Sequence, residues 1–219
     1  VKDIVMGNKL TDEKLRIVKE KAELRAKTRQ PIQHIIGFAD FMGEKFIVNQ
    51  SVLIPRDETE ILVRKAIEII NENNFKMALD VGTGSGCIAC MIAKYTDCQI
   101  IGLDISSDAL NTALDNASKL NLFNKAIFRK SDVFSNIKDG EKFDIIISNP
   151  PYIPPLEKEN IQTEVKFDPE LALYTTDEKG LEFYEKITKN APKILSSKGY
   201  LLFELGIGQS SDVKSIMEK

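Results

Sequence analysis

From Lys76 onward, short apolar runs alternate with longer stretches whose apolar positions recur every three or four residues. The short runs predict strands at Met77–Val81, Gln99–Asp104, Ala126–Lys130, Phe143–Ser148 and residues 200–205. The longer stretches predict helices at Cys87–Tyr95, residues 108–120 and residues 181–195. Short apolar strands separated by helices argue for an α/β fold, a mostly parallel sheet with helices on both faces. Ligands of such sheets sit at the carboxyl ends of the strands, near the reversal in strand order.

Upstream the rhythm differs. Residues 11–28 predict a helix that Thr11 can cap, with Leu15, Val18, Ala22 and Arg25 at near-helical spacing. Its basic positions, among them Arg16, Lys19 and Lys21, read either as a solvated face or as a docking face for an acidic partner. Phe41, Phe46, Val48, Val52 and Ile54, interrupted by Gly43 and Asn49, suggest a hairpin. A second helix follows from residues 56–59 to about Asn71, where Asp57 and Glu60 fit a capping box.

Composition narrows the class. Apolar residues make up 42% and charged residues 29%, the mixture of a globular domain. Thirty Lys and Arg against 33 Asp and Glu give a net charge of -3, which argues against a global basic field for nucleic acid. No apolar run has the length of a membrane span and no signal peptide is evident, so no membrane association is expected. Three scattered cysteines make no disulfide framework and point to the cytoplasm. Cys87 and Cys90 form a C-x-x-C on an apolar helix without a second ligand pair, so no metal is expected. His34 is the single histidine, read as structural, and no Ser-His-Asp set can be assembled. The chain opens on Val1 and stops at Lys219 inside a predicted helix, so both ends are expected to be edges of a longer protein; a monomer is expected.

The chemistry gathers at strand ends. The first predicted strand runs into Asp80-Val81-Gly82-Thr83-Gly84-Ser85-Gly86, where glycines allow a sharp turn and close ligand approach. A nicotinamide loop would place a third glycine at position 87, which holds Cys87. Asp104 closes the second strand, about where an acidic residue accepts hydrogen bonds from ribose hydroxyls. Ser131-Asp132 ends the third, and Ser148-Asn149-Pro150-Pro151-Tyr152 ends the fourth. An amide nitrogen is a poor nucleophile because its lone pair is delocalised into the carbonyl. Methylating it requires acceptors for its N–H groups, placed so that the lone pair faces the incoming carbon. The side-chain oxygen of Asn149 and the backbone carbonyl of Pro150 can serve, with Pro151 stiffening the stretch and Tyr152 offering a flat ring.

The glycine spacing resembles the cofactor loop of class I S-adenosylmethionine methyltransferases, which have a Rossmann-like fold. That resemblance implies S-adenosyl-L-methionine as cofactor, S-adenosyl-L-homocysteine as product, and Asp80, Gly82, Thr83, Gly84, Gly86, Asp104, Asp132 and Asn149 as cofactor-binding residues, with Asp132 accepting from the adenine amino group. Asn149-Pro150-Pro151-Tyr152 resembles the signature of amino and amide N-methyltransferases, which act on DNA adenine, on ribosomal RNA guanine or on protein glutamine. Residues 30–37, then Phe46 and Val48, then residues 53–60 (Leu-Ile-Pro-Arg-Asp-Glu-Thr-Glu) are similar to the HemK/PrmC family. Membership there implies Asn149, Pro150 and Tyr152 as catalytic and residues 149–152 as substrate-binding, with the glutamine of the Gly-Gly-Gln motif of class 1 peptide chain release factors as acceptor. The alternatives are a ribosomal-protein glutamine or an exocyclic amino group of a nucleic-acid base. The resemblance also implies Arg56 and Thr59 near the cofactor mouth, Glu58 bracing the loop, and Phe41 and Phe46 either shaping the acceptor pocket or filling core. Domains follow as a helical remnant (1–33), a hairpin linker (34–57) and a methyltransferase domain (58–219) that lacks the family's last strand pair.

Overall fold

The computed structural model describes residues 11–218; residues 1–10 of the expected helical remnant, and Lys219, lie outside the described residues. The chain runs α1 (Asp12–Thr28), α2 (Ile32–Ile36), β1 (Phe38–Phe41), β2 (Glu44–Ile47) and α3 (Asp57–Asn73). It continues β3 (Met77–Val81), α4 (Cys87–Tyr95), β4 (Gln99–Asp104), α5 (Ser107–Lys119), β5 (Ala126–Lys130) and β6 (Phe143–Ser148). The last elements are α6 (Glu170–Leu173), α7 (Glu182–Asn190), β7 (Leu195–Phe203) and α8 (Ser210–Met217). Strands β3 to β7 form one parallel sheet in the order β5-β4-β3-β6-β7, with helices packed on it. The chain winds outward from β3 to β5, then crosses back so that β6 pairs with the other side of β3. The reversal therefore lies between β3 and β6, where Val81 is in register with Ser148.

Local chemistry accounts for the elements. In α3 the buried Thr59, Leu62, Val63, Ala66, Ile69 and Ile70 recur at helical spacing, and the helix stops where Asn74 turns left-handed. Seven of the nine residues of α4 are buried, as expected of the helix that fills the centre of a layer. Gly86 precedes it at φ 77°, and a Cβ there would meet the Ala113 Cβ at 2.9 Å, so only glycine allows α4 and α5 to pack this closely. Thr11 caps α1 by accepting from the Lys14 backbone N–H. The apolar positions of α1 are not buried; Arg25 and Arg29, the latter just past the helix end, instead hold Glu164, whose carboxyl is pulled down to about 2 by these two guanidinium groups.

The β1-β2 hairpin is fastened to the sheet domain by one buried polar side chain. Asn116 of α5 accepts from the Ile47 N–H at 2.6 Å and donates to the carbonyls of Ile47 (3.0 Å) and Ser85 (2.9 Å). Phe41 and Phe46 meet edge to face, with centroids 6.0 Å apart, inside the main core beside Leu62 and Val63. They fill core and do not shape a pocket.

Three expectations change. The residue preceding α3 is Arg56 and carries no side-chain cap, so Asp57 and Glu60 form no capping box. Glu60 instead accepts the Met42 N–H at 2.6 Å and pairs with Arg64, joining helix to hairpin. The helix expected over 181–195 ends at Asn190, because Pro192 cannot continue it and a 3-10 turn follows. The last strand begins at Leu195 and ends at Phe203. Its polar first half, with an irregular register opposite residues 143–145, hides it from an apolar pattern.

Candidate active site

The carboxyl ends of β3 and β6 meet at the reversal, joined by the Ser148 hydroxyl donating to the Val81 carbonyl at 2.7 Å. Beyond β3, the N–H groups of Gly82 and Thr83 both donate to the Leu103 carbonyl, which draws the loop toward β4. The Gly84 N–H then donates to Asp104 Oδ2 at 2.9 Å, and the Thr83 hydroxyl donates to Asp80 Oδ2 at 2.6 Å. Asp80, Gly82, Thr83, Gly84, Gly86 and Asp104 are thus one constellation. Asp80 is fully buried and its Oδ1 has no partner; burial, with Asp104 adding to it, pushes the carboxyl up to about 7 against the Thr83 hydrogen bond. Burial raises Asp104 as well, while the N–H groups of Ser106 and Gly84 oppose it. Nothing stands within 4 Å of where a Cβ would lie on Gly82 or Gly84, so the loop's outer surface is open to a ligand.

Asn149 leaves β6 beside that loop. Its Nδ2 donates to the hydroxyl of buried Thr59 at 3.3 Å. Pro150 is buried and Tyr152 partly so; burial raises the Tyr152 hydroxyl, with Glu204 adding to the effect. Asn149 and Tyr152 line a cavity of about 890 Å³, together with Arg56, Glu58, Glu204 and Leu205. Such a volume takes a side chain or a small-molecule-sized group. Arg56 lies in the wall, bound to Asp168 at 2.6 Å. Asp168 is nonetheless pushed up to about 6, because burial outweighs the attraction of Arg56. His34 Nε2 lies 3.6 Å from Asp168, too far for a hydrogen bond, and burial, with Arg56 adding to it, lowers the pKa of the imidazole.

Asp132 is placed differently. It pairs with Lys186 at 2.8 Å and lines a separate cleft of about 600 Å³ with Phe134 and Lys193. Cys87 and Cys90 are free and buried in α4, and burial pushes the Cys87 thiol up to about 12. Among the described residues no group of three His, Cys, Asp or Glu is gathered as for a metal ion, and no helix is long and apolar enough to cross a membrane.

Two polar residues carried no role in the sequence reading: Asp168, buried behind the wall residue Arg56, and Glu204 in the wall itself. Asp168 sits in a loop, and only its spacing from Arg56 in three dimensions reveals the pair. Glu204 follows β7, its N–H donating to the Ser148 carbonyl at 3.0 Å, so it stands next to Asn149. An acidic residue closing an apolar strand at the ligand-bearing edge was the available signal.

The Methyltransferase small domain family matches residues 57–166. A release factor glutamine methyltransferase of Clostridium acetobutylicum is 41% identical over 195 residues, 88% of this chain and 68% of the relative. The chain belongs to the release factor glutamine methyltransferase family. The relative of that name from Fusobacterium nucleatum is 38% identical over 97% of this chain, which spans 60% of the relative's length. In this member of the release factor glutamine methyltransferase family, the glycine loop, Asp104 and residues 149–152 fall within the matched span, and Glu204 falls outside it. The fold is shared with a methyltransferase structure from Pyrococcus furiosus at a TM-score of 0.58 and 18% identity, covering 95% of this chain and 87% of that one.

Proposed function

We propose that this chain methylates the side-chain amide nitrogen of the glutamine in the Gly-Gly-Gln motif of class 1 release factors, with S-adenosylmethionine as donor. The reading rests on one observation above all: Asn149 lines a cavity of side-chain size and leaves β6 beside the glycine loop, the two strand ends being paired in register. The family names agree with it, since the relatives from C. acetobutylicum and F. nucleatum are both release factor glutamine methyltransferases.

The residues present fit the cofactor. The open surface of Gly82 and Gly84 admits close approach, and the unpartnered Oδ1 of buried Asp80 marks a polar group without its counterpart. Asp104 would take the ribose hydroxyls with acceptor capacity left over from Gly84 and Ser106. Asp132 would take the adenine amino group only by sharing or releasing Lys186. When bound, the sulfonium supplies an electrophilic methyl group, so the protein's task is orientation more than acid-base chemistry.

The chain's own groups supply that orientation. With Nδ2 held by Thr59, the Oδ1 of Asn149 is left to accept one N–H of the glutamine amide. The Pro150 carbonyl accepts the other, which turns the nitrogen lone pair toward the glycine loop. Tyr152 closes one side of the cavity and excludes water from the amide. Residues 11–33 and the hairpin, fastened through Asn116 and Glu164, would support the surface on which the release factor docks.

The test is peptide mass mapping of a class 1 release factor after incubation with the enzyme and S-adenosylmethionine. One methyl on the Gly-Gly-Gln glutamine is expected with the wild type. Asn149→Ala should reduce turnover by about 10²–10³-fold while affinity for S-adenosylhomocysteine stays nearly unchanged. Methylation of ribosomal proteins or nucleic acid with an untouched release factor would overturn the assignment of substrate.

A further inference from the structure

We infer that Glu204 is a positioning residue: acting through the Thr59 hydroxyl, its carboxylate fixes which end of the Asn149 amide faces the cavity. The inference deepens the proposed reaction and rests on the role given there to Asn149.

The oxygen and nitrogen ends of an asparagine amide are nearly the same shape, so packing cannot choose between them; hydrogen bonding must. The choice matters here, because an Asn149 turned the other way would offer N–H groups to the N–H groups of the incoming amide. In the structure Asn149 Nδ2 donates to Thr59 Oγ1, which leaves Oδ1 free. That arrangement is stable only if the single proton of the Thr59 hydroxyl points away from Asn149. Thr59 is buried, with 3% of its surface exposed, so water does not settle the matter.

Glu204 does. It follows β7 beside Ser148 and lines the same cavity. Its Oε2 is buried and has no partner at hydrogen-bonding distance, so the group has acceptor capacity in reserve. Burial raises its carboxyl, Glu58 adds to this, and the neighbouring Thr59 hydroxyl, Asn149 amide and Arg56 pull it back toward the ionised form. An ionised carboxylate only accepts. Standing beside Thr59 and Asn149, it draws the hydroxyl proton of Thr59 toward itself without removing it, Thr59 turns its lone pairs to Asn149, and the amide is held in one orientation. A protonated Glu204 can donate instead, and the chain of polarity loses its direction. The charged and titratable groups around it are Arg56 and Glu58 before and in α3, Tyr152 after β6, Tyr184 in α7 and Cys87 in α4.

The decisive variant is Glu204→Gln, which keeps the shape and can both donate and accept. Its kcat on a class 1 release factor is expected to fall on the order of 10²-fold, with KM and S-adenosylhomocysteine affinity little changed. The acid limb of the kcat profile that Glu204 contributes should vanish. Thr59→Val should show the same loss, Thr59→Ser should recover most of it, and the double variant Thr59→Val with Glu204→Gln should be no worse than either alone. Independently of turnover, the Asn149 side-chain amide resonances of the wild type should shift as Glu204 titrates and stay fixed in Glu204→Gln. If Glu204→Gln fails to fold, the Thr59→Val and Thr59→Ser pair carries the test. Wild-type turnover and an unchanged acid limb in Glu204→Gln, or Asn149 resonances indifferent to the substitution, would overturn the inference. A wild type that binds cofactor but leaves the release factor unmethylated would overturn the proposed substrate instead, with the resonance experiment still deciding the role of Glu204.

Discussion

Asn116 is one side chain on which both stability and the glycine loop depend. It is fully buried and makes three hydrogen bonds, one from the Ile47 N–H and one to each of the Ile47 and Ser85 carbonyls. Asn116→Ala removes all three and leaves those backbone groups facing an apolar void. An unsatisfied buried group costs about 1–3 kcal/mol, and carbonyls recover part of this by adjusting to other donors, so the expected loss is about 3–5 kcal/mol. That is a large share of the roughly 5–15 kcal/mol that holds a domain together. The damage should not stop at stability, because Ser85 belongs to the loop that presents Gly82 and Gly84. Urea unfolding followed by fluorescence measures the first effect, and titration with S-adenosylhomocysteine measures the second; both should worsen together. Asn116→Asp should be no better than alanine at neutral pH, since it sets carboxylate oxygen against two carbonyls. A loss below about 1 kcal/mol with unchanged ligand affinity would show that the hairpin and loop do not hang on this residue.

Two further outcomes follow from buried positions in the sheet. Asp80 is pushed up from 3.8 to about 7, so the folded state keeps a proton that the unfolded chain has released. Its contribution therefore falls as pH rises from about 4 to 7, by on the order of 4 kcal/mol at most, and Asp80→Asn should flatten that part of the stability profile measured by urea unfolding at several pH values. Gly102 in β4 has no room for a methyl group, since a Cβ would lie 2.6 Å from Phe128 Cδ1 and 2.7 Å from Thr83 Oγ1. Gly102→Ala should cost about 1–3 kcal/mol and weaken S-adenosylhomocysteine binding by disturbing Thr83; a variant that unfolds and binds as the wild type does would contradict the packing described.

The parallel sheet was legible because its inner strands are what an apolar pattern detects. β3, β4 and β6 are short and rich in isoleucine, leucine or valine, and their limits coincide with the predicted ones, as do those of the edge strand β5. β7 escaped in part because its first half reads Ser-Ser-Lys-Gly, polar residues whose pairing with β6 is a backbone matter that side-chain pattern does not record. Glu60 misled for a similar reason. Its spacing from Asp57 suits a cap, but a hairpin distant in sequence supplied a better donor in the Met42 N–H. The glycine loop and the Asn-Pro-Pro-Tyr run each have a local signature, so their positions at strand ends could be read directly. The Arg56–Asp168 pair and the Thr59–Asn149–Glu204 cluster join residues separated by 55 to 145 positions, and only the fold brings them together.

The Ser148–Val81 hydrogen bond makes the spacing between Asn149 and the glycine loop a property of the sheet. Neighbouring strands stay about 4.8 Å apart whatever the loops beyond them do. On the proposed function, the long segment between Tyr152 and α7, part of which lines the cavity, can thus change its sequence to suit a different acceptor without moving Asn149 relative to Gly82 and Gly84. On that reading recognition and transfer are mechanically separate, as in a tool whose jaws are exchangeable while its stroke is set by the frame. Evolution of a new acceptor on this scaffold would begin in that segment and leave the two strand ends as they are.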